Sequence, residues 1–148
     1  MSKSLGNVID PRDVITGASL QRRQFPHGIP ECGADALRMA LCSYNVHGDD
    51  IRLDVGTVLS YRHFCNKIWN AIKFVLNALG TDFVPHHPEE MVPQRPMDRW
   101  VLSRLAQAVG EYGRRMEALE VHGAMAAVHH FWLRSFCDVY LVRWPPPI

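Results

Sequence analysis

Three stretches of the chain carry apolar residues at helical spacing, and the breaks between them fall at glycine and proline. From Gly56 to Leu79 the positions Val58, Tyr61, Cys65, Ile68, Ile72, Val75 and Leu79 recur in alternating steps of three and four, as a packed helical seam requires. That spacing predicts a single helix of roughly 36 Å at 1.5 Å per residue. Gly80 ends it, and Pro85, Pro88, Pro93 and Pro96 then mark a connector that cannot sustain a regular ladder of backbone hydrogen bonds. This connector is the one internal boundary that the pattern itself marks. Beyond it Leu102, Leu105, Val109, Tyr112, Met116 and Leu119 step in the same way, with Asp98 as the expected N-cap and Arg104, Gln107, Glu111, Arg114 and Arg115 on the other face. A last helix is expected from about Val121 to Val142, where Val121, Met125, Val128, Trp132, Phe136, Val139 and Tyr140 form a face broad enough to need partners on two sides.

The chain before Gly56 reads differently. Turn chemistry at Leu5-Gly6-Asn7, Asp10-Pro11, Thr16-Gly17 and Pro26-His27-Gly28-Ile29-Pro30 interrupts any long period. A short turn of helix at Arg12 to Ile15 and a short helix from Ala34 to Cys42 fit between these breaks, the second closed by Gly48-Asp49-Asp50. Ile51 to Val55 alternates apolar and charged residues, as a brief extended segment does. The expected fold class is mainly α: an irregular amino-terminal loop and connecting segment, followed by an antiparallel helical bundle that lacks a member.

Composition narrows this little. With 148 residues, 47% of them hydrophobic, the chain can bury one core or two small ones, and 16 Lys+Arg against 15 Asp+Glu favour no class of partner. The apolar runs are far shorter than the roughly 20 residues that span a bilayer, so a membrane protein is not expected. Cys32, Cys42, Cys65 and Cys137 form no CxxC pair, so they read as buried free thiols rather than as a zinc site or a disulfide framework. The first residues resemble neither a secretory signal nor an organelle presequence. His86-His87 and His129-His130 are neighbours, which on a helix point about 100° apart, so no metal ligand set is identified. Trp69, Trp100 and Trp132 read as core or interface anchors.

Charge is more informative locally. Along the long helix Arg62, Asn66, Asn70, Lys73 and Asn77 share a face with His63 and Lys67 at its flank, and no Asp or Glu occurs from Val55 to Gly80. A solvated face more often mixes signs in i,i+4 pairs. An unbalanced stripe of Arg, Lys and Asn suits phosphate and sugar contacts with a nucleic acid, although asparagines also cross-link packed helices. At the amino end, Ser2 and Ser4 flank Lys3 ahead of Leu5-Gly6-Asn7. Such a loop can set an ammonium and several donors around a polyphosphate, but Ser-Lys-Ser is also common in plain termini.

The run from Met1 to Pro11 resembles the KMSKS signature and its downstream stretch in class I aminoacyl-tRNA synthetases, without the motif's first lysine. Phe25 to Arg38, Tyr61 to Ala71, Phe131-Trp132-Leu133 and Cys137 to Leu141 are similar to the valine-specific members, so the likeness covers nearly the whole chain up to about Val142. It implies a ligase whose reaction activates valine with ATP and transfers it to tRNA(Val). Lys3 would then be the catalytic lysine that contacts ATP phosphates, with Ser2 and Ser4 shaping the same loop. Residues 1–54 would be the KMSKS loop and stem-contact region of the catalytic domain, and 55–148 the start of the anticodon-binding bundle. Arg62, His63, Asn66, Lys67, Asn70 and Lys73 would face tRNA.

Departures from the family pattern qualify this. The HIGH-type motif, the Rossmann core and the inserted editing domain are absent, the join at Ser19 to Phe25 is abrupt, and Pro145-Pro146-Pro147-Ile148 leaves the pattern. The expectation is a fragment of a larger ligase that is inactive in isolation, since one phosphate-contacting loop cannot position the reacting atoms. The rival readings are a non-catalytic helical module that binds tRNA or a protein, and a chain that does not fold stably. Phe25 to Pro30, Met97-Asp98 and His129 to Leu133 resemble the vertebrate mitochondrial form more than the cytoplasmic one.

Overall fold

A computed structural model describes residues 9–18, 27–45, 51 and 53–143. The chain divides into two compact units, residues 1–66 and 67–148. Among the described residues the architecture is mainly α, without strands, and an isolated antiparallel bridge joins Ala18 to Ile29.

The first unit is assembled from short pieces around one small core. Helix α1 (Pro11–Thr16) is six residues long because both ends are fixed locally. The Asp10 carboxylate accepts the Arg12 N–H at 2.8 Å, Pro11 supplies the first helical residue, and Gly17 at φ +79° turns the chain away. The chain leaving α1 is tied to the 29–33 segment: Ala18 and Ile29 exchange N–H···O bonds of 3.0 and 2.7 Å, and the Cys32 and Gly33 N–H groups reach Val14 O and Ile15 O at 3.1 Å. This tight approach needs glycine at position 17, where a Cβ would stand 3.0 Å from the Glu31 nitrogen. Helix α2 (Ala34–Ser43) then lays Ala36, Leu37 and Ala40 against Val14, Cys32 and Val58, with Ile9, Ile15, Leu53, Leu59 and Tyr61 around them.

Helix α3 (Val55–Leu79) starts in this core and runs on into the second unit. Its start is a side-chain cap not foreseen from the pattern. The Asp54 carboxylate accepts the Gly56 N–H at 3.2 Å and the Thr57 N–H at 2.8 Å, and the Thr57 hydroxyl at 3.0 Å. These bonds, led by the Thr57 N–H, hold the Asp54 carboxyl below its usual pKa. Ile51, Leu53 and Asp54 form no strand, and Val55 is already helical, so the expected extended segment is replaced by a capping turn. Gly48 to Asp50 lie outside the described residues. The expected seam of α3 is only partly buried. Val58 is fully enclosed and Tyr61, Cys65, Ile68, Val75 and Leu79 are half-buried, but Ile72 is exposed, and the buried positions farther along are Phe64 and Ala71.

In the second unit, a short 3-10 turn (Pro88–Glu90) interrupts an otherwise exposed connector. Helix α4 (Pro96–Glu117) begins two residues before Asp98, because Pro96 is preset for a helical first turn. Asp98 is therefore not the N-cap. Its carboxylate instead accepts the Tyr140 hydroxyl at 3.0 Å. Helix α4 closes in a Schellman turn: the Leu119 N–H bonds Met116 O at 3.0 Å and the Glu120 N–H bonds Arg115 O at 2.8 Å. Leu119, at φ +59°, holds the left-handed position that glycine usually takes. Helix α5 (Val121–His130) returns along α4, with Gly123 so close to Arg115 that a Cβ would meet Arg115 Cδ at 3.0 Å.

The last expected helix is continuous but changes type. From Phe131 to Leu141 it is a π-helix, packed on α4 as α5 is. Phe131, Phe136 and Tyr140 stack in series, with centroids 6.2 and 5.9 Å apart, and Trp132 meets Phe131 and Phe136 edge-on. Helix α4 contradicts the expectation for its apolar face. Leu102, Leu105, Val109, Tyr112, Met116 and Leu119 are all exposed, Val109 to 62%, and the buried residue of α4 is Val101. No helix among the described residues is long and apolar enough to cross a membrane.

Candidate nucleic-acid interface

Helix α3 builds the candidate interface from its own register. At about 100° per residue, Arg62, Asn66, Asn70 and Lys73 fall within an arc of roughly 80°, with His63 about 20° and Lys67 about 60° beyond it. In the first unit Arg62, His63 and Asn66 are exposed, and in the second Lys67, Asn70 and Lys73 are exposed. The sequence explains why this face stays open. Its asparagines and cations cannot be buried without partners, and the helix carries no carboxylate to neutralise it.

The cations differ in their surroundings. The Arg62 guanidinium reaches back towards the start of α2, with Nη1 3.6 Å from where a Cβ on Gly33 would lie. Burial pushes the Cys32 and Cys65 thiols above their ordinary pKa, and the Arg62 charge opposes that rise at both. Cys65 also lies with its sulfur 3.5 Å from Met39 Sδ. Of the four thiols expected to be buried, Cys32 is, Cys65 and Cys137 are half-buried, and Cys42 is exposed. Lys67 is held by an ion pair: its Nζ donates to Asp138 Oδ1 at 2.7 Å, and that bond is the main reason the Asp138 carboxyl lies below its usual pKa. Arg134 stands 3.5 Å from the other oxygen of Asp138.

One residue of this face was missed by sequence reasoning. Trp69, expected as a core or interface anchor, is 70% exposed. In the register of α3 it lies about 20° from Arg62 and about 40° from Lys73. A flat aromatic side chain among cations and amides is the composition of a single-stranded nucleic-acid platform, where bases stack and the cations track the backbone. The signal was present: Trp69 lies off the 58–61–65–68–72–75–79 seam. Trp100 and Trp132 are half-buried.

The amino-terminal candidates Ser2, Lys3 and Ser4 lie outside the described residues. Among the described residues no three His, Cys, Asp or Glu side chains gather as a metal site.

Comparison with known proteins joins the two ends of the chain. Residues 1–54 match the family described as tRNA synthetases class I (I, L, M and V), and residues 98–145 match the anticodon-binding domain of tRNA ligase. Human mitochondrial valine–tRNA ligase is 50% identical over 175 residues, covering 99% of this chain and 16% of the relative. The pig mitochondrial enzyme is 51% identical over 169 residues with the same shares, and a rat valine–tRNA ligase named without a compartment is 47% identical over 165 residues, 95% of this chain and 13% of the relative. The chain therefore spans less than a fifth of the length of the curated relatives it matches, and the human alignment is longer than the 148 residues present, so that relative carries residues this chain lacks. No solved structure matches the chain. Alignments at about half identity along nearly the whole chain, with synthetase and anticodon-binding regions in series, place it in the valine–tRNA ligase family.

Proposed function

We propose that this chain supplies the ATP-phosphate loop and part of the tRNA-contacting surface of a ligase that activates valine with ATP and transfers it to tRNA(Val). Residues 1–54 are assigned to the catalytic side and 55–148 to the anticodon-binding side. In this reading the Lys3 ammonium offsets the charge that develops on pyrophosphate as the aminoacyl adenylate forms, and Ser2 and Ser4 shape the loop that carries it. Arg62, His63, Asn66, Asn70 and Lys73 contact the tRNA backbone. Lys67 stands at the edge of that contact, because Asp138 already engages it. The parent is assigned to the mitochondrion, supported by the higher identity of the mitochondrial enzymes of human and pig than of the rat enzyme without that label.

The observation that carries this reading is the acid-free, solvent-facing side of α3, on which an exposed tryptophan lies among cations and asparagines. A tRNA(Val) transcript binds the chain, and Arg62→Ala with Lys73→Ala weakens that binding about tenfold or more, as the removal of two charge-assisted hydrogen-bonding groups requires. Trp69→Ala weakens it by a stacking contribution of about 1–3 kcal/mol. Unchanged affinity in both variants contradicts the assignment of this face and favours the non-catalytic module that binds a protein instead. The 148 residues alone catalyse no ATP–pyrophosphate exchange, and measurable exchange contradicts that part of the reading.

A further inference from the structure

A second polar site lies in the second unit. It is a cavity of about 240 Å³ between α4 and the point where α5 becomes the π-helix. Small residues make the room: Ala108 on α4, Ala127 on α5 and the buried Ser135 all line it. Arg104, Gln107, Glu111 and Arg114 follow one another at i+3, i+4 and i+3 along α4, so a single face of that helix presents all four. His130 and Phe131 form the opposite wall, at the turn where the helix widens. Departures of this kind from α-helical hydrogen bonding are costly and concentrate at functional sites.

The hydrogen bonds within the rim decide what it can accept. Gln107 Oε1 accepts from Arg104 Nη1 at 3.0 Å. Glu111 has both oxygens engaged, Oε1 by Arg115 Nε at 2.7 Å and Oε2 by Arg114 Nη2. The two guanidiniums, led by Arg115, hold the Glu111 carboxyl below its usual pKa, so it stays a carboxylate whose charge they compensate. The Gln107 and Glu111 side-chain oxygens are thus each engaged by an arginine. The rim also offers donors: the other N–H groups of Arg104 and Arg114 and the amide NH2 of Gln107. Ser135, itself buried, also lines the cavity, where its hydroxyl can donate. Arg104 forms no ion pair among the described residues and lies 5.7 Å from the centroid of the Trp100 ring.

We propose that this cavity is a binding site for a phosphoryl group, held by Arg104, Arg114 and the Gln107 amide. Two arginines against one glutamate leave the rim with an excess of positive charge, which fits an anionic ligand, and guanidinium groups match phosphate oxygens in a planar, two-point geometry. The phosphoryl group comes either from an RNA strand or from a small phosphorylated molecule. The site shares no residue with the α3 face, so it does not depend on the function proposed above.

The test is an NMR titration of the whole chain with sodium phosphate, against sodium chloride at matched ionic strength. It follows the Nε–H signals of Arg104 and Arg114 and the side-chain amide of Gln107. Phosphate produces saturable shifts at these groups and chloride does not. Arg104→Gln combined with Arg114→Gln weakens the phosphate response about tenfold or more. Gln107→Glu, which replaces a donor with a negative charge at an exposed position, also abolishes it, and Arg38→Gln, which removes a cation from α2, leaves it unchanged. A single-stranded RNA hexamer and adenosine monophosphate then separate the sources. Displacement of phosphate by the hexamer alone assigns the site to an RNA strand, and displacement by the monophosphate assigns it to a small molecule. Either result supports a phosphoryl site. Equal, non-saturating shifts with phosphate and chloride overturn it, as do saturable shifts that survive both the double variant and Gln107→Glu.

Discussion

Lys67 Nζ lies 2.7 Å from Asp138 Oδ1, a bond that joins α3 to the π-helix across 71 positions of sequence. Both side chains are partly exposed, so the pair contributes roughly 0.2–1 kcal/mol and is screened by salt. Lys67→Ala is expected to lower the urea midpoint by that modest amount at low salt and by less in 1 M NaCl. It is also expected to weaken tRNA binding less than Lys73→Ala does. A Lys67→Ala variant of unchanged stability whose tRNA binding falls as far as that of Lys73→Ala contradicts a structural role for this lysine.

The Asp54 cap gives α3 a defined acid limb. Because its hydrogen bonds lower the folded-state pKa of Asp54, the stabilisation is fully present above the unfolded value of about 3.9 and is lost as pH falls through the lowered folded value. Asp54→Ala is expected to cost about 0.5–2 kcal/mol at pH 7 and to flatten the stability–pH curve below about pH 4. Equal acid sensitivity of variant and parent contradicts the assignment.

Tyr140 sets the opposite, alkaline limb. Burial, and then its bond to Asp98, raises the phenol above its usual pKa, so the folded state holds a proton that the unfolded chain has lost. Stability is unaffected below about pH 10 and falls as pH rises from there towards the raised folded value. Tyr140→Phe is expected to cost about 1 kcal/mol at neutral pH and to remove this alkaline decline. Chemical denaturation at pH 7 and at pH 10.5 checks both.

Leu119 occupies the left-handed position of the Schellman turn and is 86% exposed. A side chain there costs roughly 1–2 kcal/mol in backbone strain and returns almost no burial. Leu119→Gly is expected to leave stability unchanged or raise it by up to about 1 kcal/mol, after the greater chain entropy of glycine is subtracted. A loss above about 1 kcal/mol in thermal unfolding contradicts this.

The two apolar faces differ in what covers them. Val58 is 0% exposed in the core of the first unit, whereas Val109 is 62% exposed on α4. Val58→Ala is expected to cost about 1.5–3 kcal/mol, and Val109→Ala about 0.5 kcal/mol or less. Comparable losses in urea denaturation contradict the burial described here.

These contrasts show which features local sequence can carry. The start of α2 and both ends of α3 were legible to within a residue or so, since glycine, proline and helical spacing act over a few positions; α2 itself stops at Ser43, with Tyr44 extended, ahead of the expected stop at Gly48-Asp49-Asp50. Which face of α4 is covered was not: the steps from Leu102 to Leu119 mark a stripe that favours burial, yet those residues are exposed and the buried one is Val101. The role of Asp98 depends on Tyr140, which is 42 positions away, and that of Lys67 on Asp138, so neither could be read from neighbours. The π-helix keeps the apolar spacing of an α-helix and differs in its backbone hydrogen bonds. In the candidate interface, the lack of acids along α3 was visible at once, but the place of Trp69 on that face emerged only when it was found exposed.

The salt dependence of tRNA(Val) binding tests the assigned face of α3 most directly. Each phosphate that the protein no longer neutralises reduces the slope of log K against log salt by about 0.7 for a single strand and about 0.9 for a duplex. Arg62→Ala with Lys73→Ala is therefore expected to bind with a slope shallower than the parent's by about 1.5–2. Parallel slopes for the two proteins would contradict phosphate recognition by this helix.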